Sequence, residues 1–286
     1  MNFSGFFDDA ALFPPGDAPM NLAVPAHRAL RARLGDLVGP FVVPAARLGS
    51  LAACLGDDEP PFGVSVIAAP LDLPPALATV RAHPVLALAA VEVPLIDDVE
   101  RAVSELAGFL PASVPVAVEL PRTSARDAVL EVLARRGYRA KLRTGGVVPE
   151  AFPSPEELGA ALAACRNYGV AFKCTAGLHH AVRHTDPATG FTHHGFLNIL
   201  VATDALAEAG GSRAEAAAPA GAGGEPAEAW LRETDAARLA AAVRAWSPAR
   251  AARARASFTS FGTCSITEPV DDLVALGLVR TPERAS

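Results

Sequence analysis

Short runs rich in valine and alanine alternate with segments of helical periodicity along most of this chain. That alternation constrains the fold more than any other feature. The runs are 40–46 (PFVVPAA), 62–69 (FGVSVIAA), 86–93 (LALAAVEV), 114–120 (VPVAVEL), 138–144 (YRAKLRT), 170–176 (VAFKCTA) and 258–266 (FTSFGTCSI). Helix-like segments fall at 22–34, 97–109, 124–136, 154–168 and 233–246. Asp97 and Ser124 stand where helix N-caps are expected, and Pro155 where a first turn tolerates proline. Gly137 and Gly169 directly follow helical runs, as C-terminal glycines do. Strand then helix, repeated, is the pattern of a parallel sheet covered by helices. Seven strands are visible, and an eighth is expected near 227–233 (AEAWLRE). A single α/β domain over 1–286, closed as a (β/α)8 TIM-type barrel, fits this count. A doubly wound open sheet fits less well, because no Gly-rich phosphate loop follows the first run. Residues 1–21 are expected as an N-terminal extension over the catalytic face, and the low-complexity stretch 210–227 (GGSRAEAAAPAGAGGEPA) as a flexible insertion.

Composition narrows the class. With 286 residues, 51% of them hydrophobic, the chain can bury a large core. A net charge of −6 without a long block of one sign points to neither nucleic acid nor an anionic membrane as partner. Cys54, Cys165, Cys174 and Cys264 are far apart and form no CxxC pair, as expected of reduced thiols in a cytoplasmic protein. The first residues carry two aspartates and no basic region, so no signal peptide is expected. No apolar run approaches the ~20 residues of a transmembrane helix. A homo-oligomer is left open.

Alternation along the strands selects the inward side chains. With the valines packing outward, Glu92 and Glu119 face the barrel axis, as do Lys141 with Arg143, and Lys173 with Thr175. All lie in the C-terminal halves of their strands, the end where barrel active sites are built. Opposite charges lower the cost of burying one another. Asp8 and Asp9, in the segment FFDDAALFPPG, would begin on the catalytic side and could cover the site or bind its cations.

Residues 170–198 (VAFKCTAGLHHAVRHTDPATGFTHHGFLN) hold five of the seven histidines: His179, His180, His184, His193 and His194. Imidazoles taken from water need polar partners, so such a cluster points to a site. His180 and His184, four apart, would share one face of a helical turn and could bind one metal, although the Glu of the zinc-protease motif is absent. His193 and His194 precede a helical run, whose N-terminus favours neutral imidazole. Three readings stay open: metal ligation with Glu119 or Asp8, a cationic pocket for a phosphate or carboxylate, and loop structure with imidazoles bonded to backbone carbonyls. Gly262 to Ser265 lie at the rim of the last strand, where backbone N–H groups commonly bind phosphate. Cys264 there reads as a buried small thiol closing the barrel, with a nucleophile as the alternative.

The segment AFKCTAG resembles the strand-six segment of class I aldolases of the deoxyribose-phosphate aldolase type. The resemblance implies Lys173 as the residue that forms an imine with a carbonyl substrate, and Lys141 as a residue that tunes it. That family carries its second lysine on the strand after the imine lysine, whereas Lys141 lies on the strand before Lys173. More broadly, the layout from FFDDAALFPPG through KLRTGG and TAGLHH to SFGTCSITEPVDDLVALGL is similar to uncharacterised β/α-barrel proteins of Ala-rich bacterial proteomes.

The reading is a barrel enzyme, an aldolase-like lyase acting on a small anionic, oxygen-rich metabolite. Lys173 forms the imine, and Glu119, His179 or His180 moves protons. Lys141, Arg143, Glu92, Thr175, Asp8 and Asp9 hold the substrate. No cofactor is required. The alternative enzyme is a metal-dependent lyase, isomerase or hydrolase with zinc or manganese on His180 and His184. The non-enzymatic alternative is a barrel that only binds a ligand.

Overall fold

The computed structural model describes residues 1–211 and 226–280. Eight parallel strands close into a barrel. They are β1 (Phe7–Asp9), β2 (Val38–Pro44), β3 (Phe62–Ile67), β4 (Leu86–Val93), β5 (Val116–Glu119), β6 (Arg139–Arg143), β7 (Phe172–Thr175) and, after a two-stranded hairpin β8 (His184–Thr185) and β9 (Thr192–His193), β10 (Phe258–Thr263). Helices follow the strands in turn: α1 (Met20–Leu34), α2 (Leu48–Ala52), α3 (Leu73–Ala82), α4 (Val99–Phe109), α5 (Arg126–Arg136) and α6 (Pro155–Asn167). The connection from β7 to β10 carries α7 (Phe196–Gly211), α8 (Ala227–Arg232), α9 (Ala236–Arg244) and α10 (Pro248–Ser257), and α11 (Thr267–Ala275) follows the last strand. Among the described residues no helix is long and apolar enough to cross a membrane.

The (β/α)8 architecture read from the alternation is the one observed, but the eighth strand is elsewhere. Residues 227–232, expected as part of a strand, form α8. AEAWLR has no β-branched residue, and Pro226 precedes it at the N-cap, so local preference favours a helix. The missing strand is β1, only three residues long, which pairs with β10 on one side and β2 on the other. The N-terminal segment is thus a stave of the barrel and not only a cover over it. The insertion expected at 210–227 falls mostly on residues outside those described.

Closure at β1 rests on aromatic packing. Phe6 and Phe7 meet Phe196, Phe258 and Phe261 at centroid distances of 4.9–6.2 Å, and Phe3 packs beside them. Phe3, Phe6 and Phe7 are all buried, each contributing about 1.5–3 kcal/mol of transfer free energy. The helices carry their own stops. Ser154 and Glu157 form a reciprocal capping box on α6, and Asp98, one residue beyond the expected Asp97, caps α4. Gly137 and Gly169 both adopt positive φ after their helices, where a side chain would be strained.

Candidate active site

A chain of buried ionic groups crosses the inside of the barrel. Lys173 on β7 donates from Nζ to Asp8 Oδ2 of β1 and Glu92 Oε1 of β4, each at 2.6 Å. Glu92 Oε2 lies 3.6 Å from Lys141 Nζ on β6, which reaches Glu119 Oε2 of β5 at 3.2 Å. Glu119 Oε1 accepts in turn from Arg143 Nε at 3.2 Å. Two hydroxyls complete the network: Ser65 of β3 donates to Glu92 at 2.9 Å, and Ser260 of β10 to Asp8 at 2.9 Å. Asp8, Glu92, Lys141 and Lys173 are all 5% exposed or less. The three carboxylates and three cations balance, the condition under which charges can be held away from water.

Register explains why these residues meet. Glu119 pairs with Lys141, and Lys141 with Lys173, as neighbours across adjacent strands, so one layer of inward side chains carries all three. Gly39 on β2 makes room for Asp8: a Cβ there would sit 2.4 Å from Asp8 Oδ1. Below the network, a cavity of about 130 Å³ opens among residues near the N-terminal ends of the strands, including Pro40, Pro115 and Arg139, and touches Asp8, Glu92 and Lys173.

The environments of the carboxylates differ. Glu92 is held down at about 2: burial works against its charge, but the ammoniums of Lys173 and Lys141, with hydrogen bonds from Lys173 and Ser65, outweigh it. Burial pushes Asp8 up, and Lys173 and Ser260 counter that only in part. Lys173 is held above its ordinary value: burial alone would lower it, but Asp8 and Glu92 on either side favour the ammonium. Lys173 is thus a fixed positive charge, Glu92 a fixed negative one, and Asp8 the buried carboxyl that most readily takes up a proton.

Most of the inward residues named from the strand pattern are brought together here: Glu92, Glu119, Lys141, Lys173 and Arg143, the last exposed at the rim. Asp8 joins them. Asp9 does not. Its neighbour occupies the inner face, and Asp9 turns outward to Nδ1 of buried His27 on α1 at 2.8 Å. Thr175 offers its backbone carbonyl to Thr144 beside the rim. Ser65, Ser260 and Gly39 were missed. Ser65 stands out as the lone hydroxyl of apolar β3, whereas Ser260 is one of three hydroxyls on β10 and the role of Gly39 depends on where β1 lies.

The histidines form the wall above β7, mostly engaged with nearby protein groups. His180 meets Asp272 at 3.2 Å, His184 Nδ1 the carbonyl of Val182, and His193 Nδ1 the carbonyl of Gly177. His194 is buried between the Pro153 carbonyl and Arg183, and falls to about 4, driven first by burial. His180 and His184 do not share a helical turn, since residue 184 begins a hairpin strand. Their rings instead contact edge to face at 4.7 Å. Among the described residues, no three His, Cys, Asp or Glu groups converge as metal ligands would. His179 stands apart, with Glu268 at 2.8 Å and Cys264 beyond it.

No protein-family model matches the chain, and no curated protein matches it. Among solved structures, one described as QR15, an aldolase, is 11% identical to it with a TM-score of 0.42, covering 63% of this chain and 84% of that one. The barrel itself is established by the strand pairing.

Proposed function

We propose that this barrel is an aldolase-like lyase that cleaves or forms a carbon–carbon bond in a small anionic, oxygen-rich metabolite through a lysine imine. The observation that carries the reading is the pair of buried lysines on neighbouring strands, Lys141 and Lys173, sharing the single carboxylate of Glu92. A buried lysine beside a second cation is the arrangement that activates an amine for imine formation.

With β1 counted, Lys141 stands on the sixth barrel strand and Lys173 on the seventh. This is the order of imine lysine and second lysine in the aldolases that AFKCTAG resembles, with the roles expected from sequence exchanged. The contacts favour the exchange. Lys173 is clamped at 2.6 Å by two carboxylates, while Lys141 has only longer contacts of 3.2 and 3.6 Å. Lys141 is also linked to the rim through Glu119 and Arg143. In this reading Glu119 takes the proton that Lys141 must lose before it attacks the carbonyl carbon. Water leaves as the imine forms. Lys173 stabilises negative charge developing on the substrate oxygen, and Asp8 relays the proton. Arg143, exposed at the rim, holds the anionic group.

Borohydride reduction in the presence of a panel of small aldehydes and ketones, followed by peptide mass mapping, tests this directly. An adduct on Lys141, lost in Lys141→Met, is expected. An adduct on Lys173 would return the nucleophile to that residue, and no adduct with any carbonyl would remove the imine mechanism.

A further inference from the structure

Above the ionic network, three side chains from separate elements meet at the rim. His179 lies in the loop after β7, Cys264 just beyond the end of β10, and Glu268 in the first turn of α11. His179 Nδ1 is 2.8 Å from Glu268 Oε2, so Nδ1–H donates to the carboxylate and the Nε2 lone pair is left free. Cys264 Sγ lies 3.8 Å from Nε2 and 3.9 Å from Nδ1. Thiol, imidazole and carboxylate thus meet as the components of an activated nucleophile, with the base held by a third group. The N-terminal loop is fitted onto the same thiol. At Gly16 an added Cβ would come within 3.0 Å of the Cys264 Cβ, so only glycine lets the loop close over it without displacement. Burial pushes the Cys264 thiol up, against the pull of the Gly16 backbone N–H, and the charges of Glu268 and Asp9 add to the rise. The thiol is therefore neutral near pH 7 and needs a base to react.

We propose that Cys264, His179 and Glu268 form a second nucleophilic centre of this barrel, which captures a small aldehyde reversibly as a thiohemiacetal. Nε2 of His179 takes the Sγ proton, Sγ adds to the aldehyde carbon, and the proton passes from the imidazolium to the former carbonyl oxygen. The S–H bond and the C=O π bond are exchanged for S–C and O–H bonds, and nothing is oxidised or reduced. The choice of an aldehyde rests on the carbon–carbon chemistry proposed above, whose cleavage products include one. The activated thiol itself does not rest on it.

Iodoacetamide alkylation of the intact protein at pH 7, mapped by peptide mass, is the test. Cys54, also half-buried, is the internal reference, while Cys165 and Cys174 are buried. Cys264 should alkylate at least about tenfold faster than Cys54, and His179→Gln and Glu268→Gln should each remove most of that advantage. Millimolar acetaldehyde should protect Cys264, with reactivity returning on dialysis. Equal rates at Cys264 and Cys54, or rates unmoved by both substitutions, would overturn the activated thiol. A fast, His179-dependent thiol that acetaldehyde leaves unprotected would overturn aldehyde capture. Protection of Cys264 without borohydride trapping on any lysine supports this centre and sinks only the imine reading.

Discussion

At the scale of single residues, Glu92 is the pivot, because both buried lysines depend on it. Glu92→Ala leaves two ammoniums inside the barrel with one contact fewer each, and should destabilise the fold by about 3–5 kcal/mol in urea unfolding. Glu92→Gln, which keeps the shape and a hydrogen-bonding oxygen, should cost less. The same residue shapes the pH profile. Its carboxyl falls from an ordinary 4.5 to about 2 in the fold, so the stability it contributes is present above 4.5 and lost as pH falls toward 2. His194 acts earlier. Its value drops from 6.5 to about 4, so acidification below 6.5 favours the unfolded chain, whose imidazole takes the proton more readily. Asp8, raised by burial, opposes the fall over part of this range. Urea midpoints measured from pH 8 to pH 2 should therefore decline in two stages, and Glu92→Gln should flatten the lower one. On the alkaline side, Lys173 supplies stability that holds below about 10.5 and is lost above it, because its folded value is raised.

At the scale of elements, glycines at close approaches decide whether the strands can carry these side chains. Gly39→Ala on β2 places a methyl 2.4 Å from Asp8 Oδ1, against a buried carboxylate held by Lys173 and Ser260. An overpacking cost of about 1–3 kcal/mol is expected, with a matching drop in the yield of borohydride-trapped enzyme as Asp8 is displaced. If Gly39→Ala matched the parent in melting temperature and trapping yield, Asp8 would not be fixed as described. The loops after β6 and β7 touch in the same way. A Cβ on Gly145 would come within 2.8 Å of the Gly177 Cα, and Gly177 has a φ of +75°. The histidine wall therefore sits where it does because two backbones meet without side chains. Gly177→Ala should destabilise the fold and change the alkylation rate of Cys264, since His179 lies two residues on.

At the scale of the whole molecule, the barrel is closed by its first residues. Among the described residues, β1 is the hydrogen-bonded link between β2 and β10. A chain lacking residues 1–9 would leave two strand edges open, lose Phe3, Phe6 and Phe7 from the aromatic cluster, and strip Lys173 of Asp8. Cooperative thermal unfolding followed by circular dichroism should disappear in that variant, and retention of a sharp transition would show that closure does not need β1.

The sequence by itself determined the repeating unit and most of the inward charges. A strand whose valines must face helices leaves its glutamate or lysine facing the axis, and that follows from a period of two residues without knowledge of any neighbour. It also determined that histidines would gather above the strand of Lys173, because the chain leaves that strand directly into the loop that bears them. Only the tertiary structure decided which segment is the eighth stave. FDD is short and acidic and has little strand preference of its own, so β1 exists because β2, β10 and the phenylalanine cluster receive it and because Lys173 neutralises Asp8. Placing β1 moved Lys173 from the sixth strand to the seventh and separated inward Asp8 from outward Asp9. The partnership of Cys264 with His179 and Glu268 was likewise beyond sequence reasoning, since residues 85 and 89 positions apart meet only when the barrel closes.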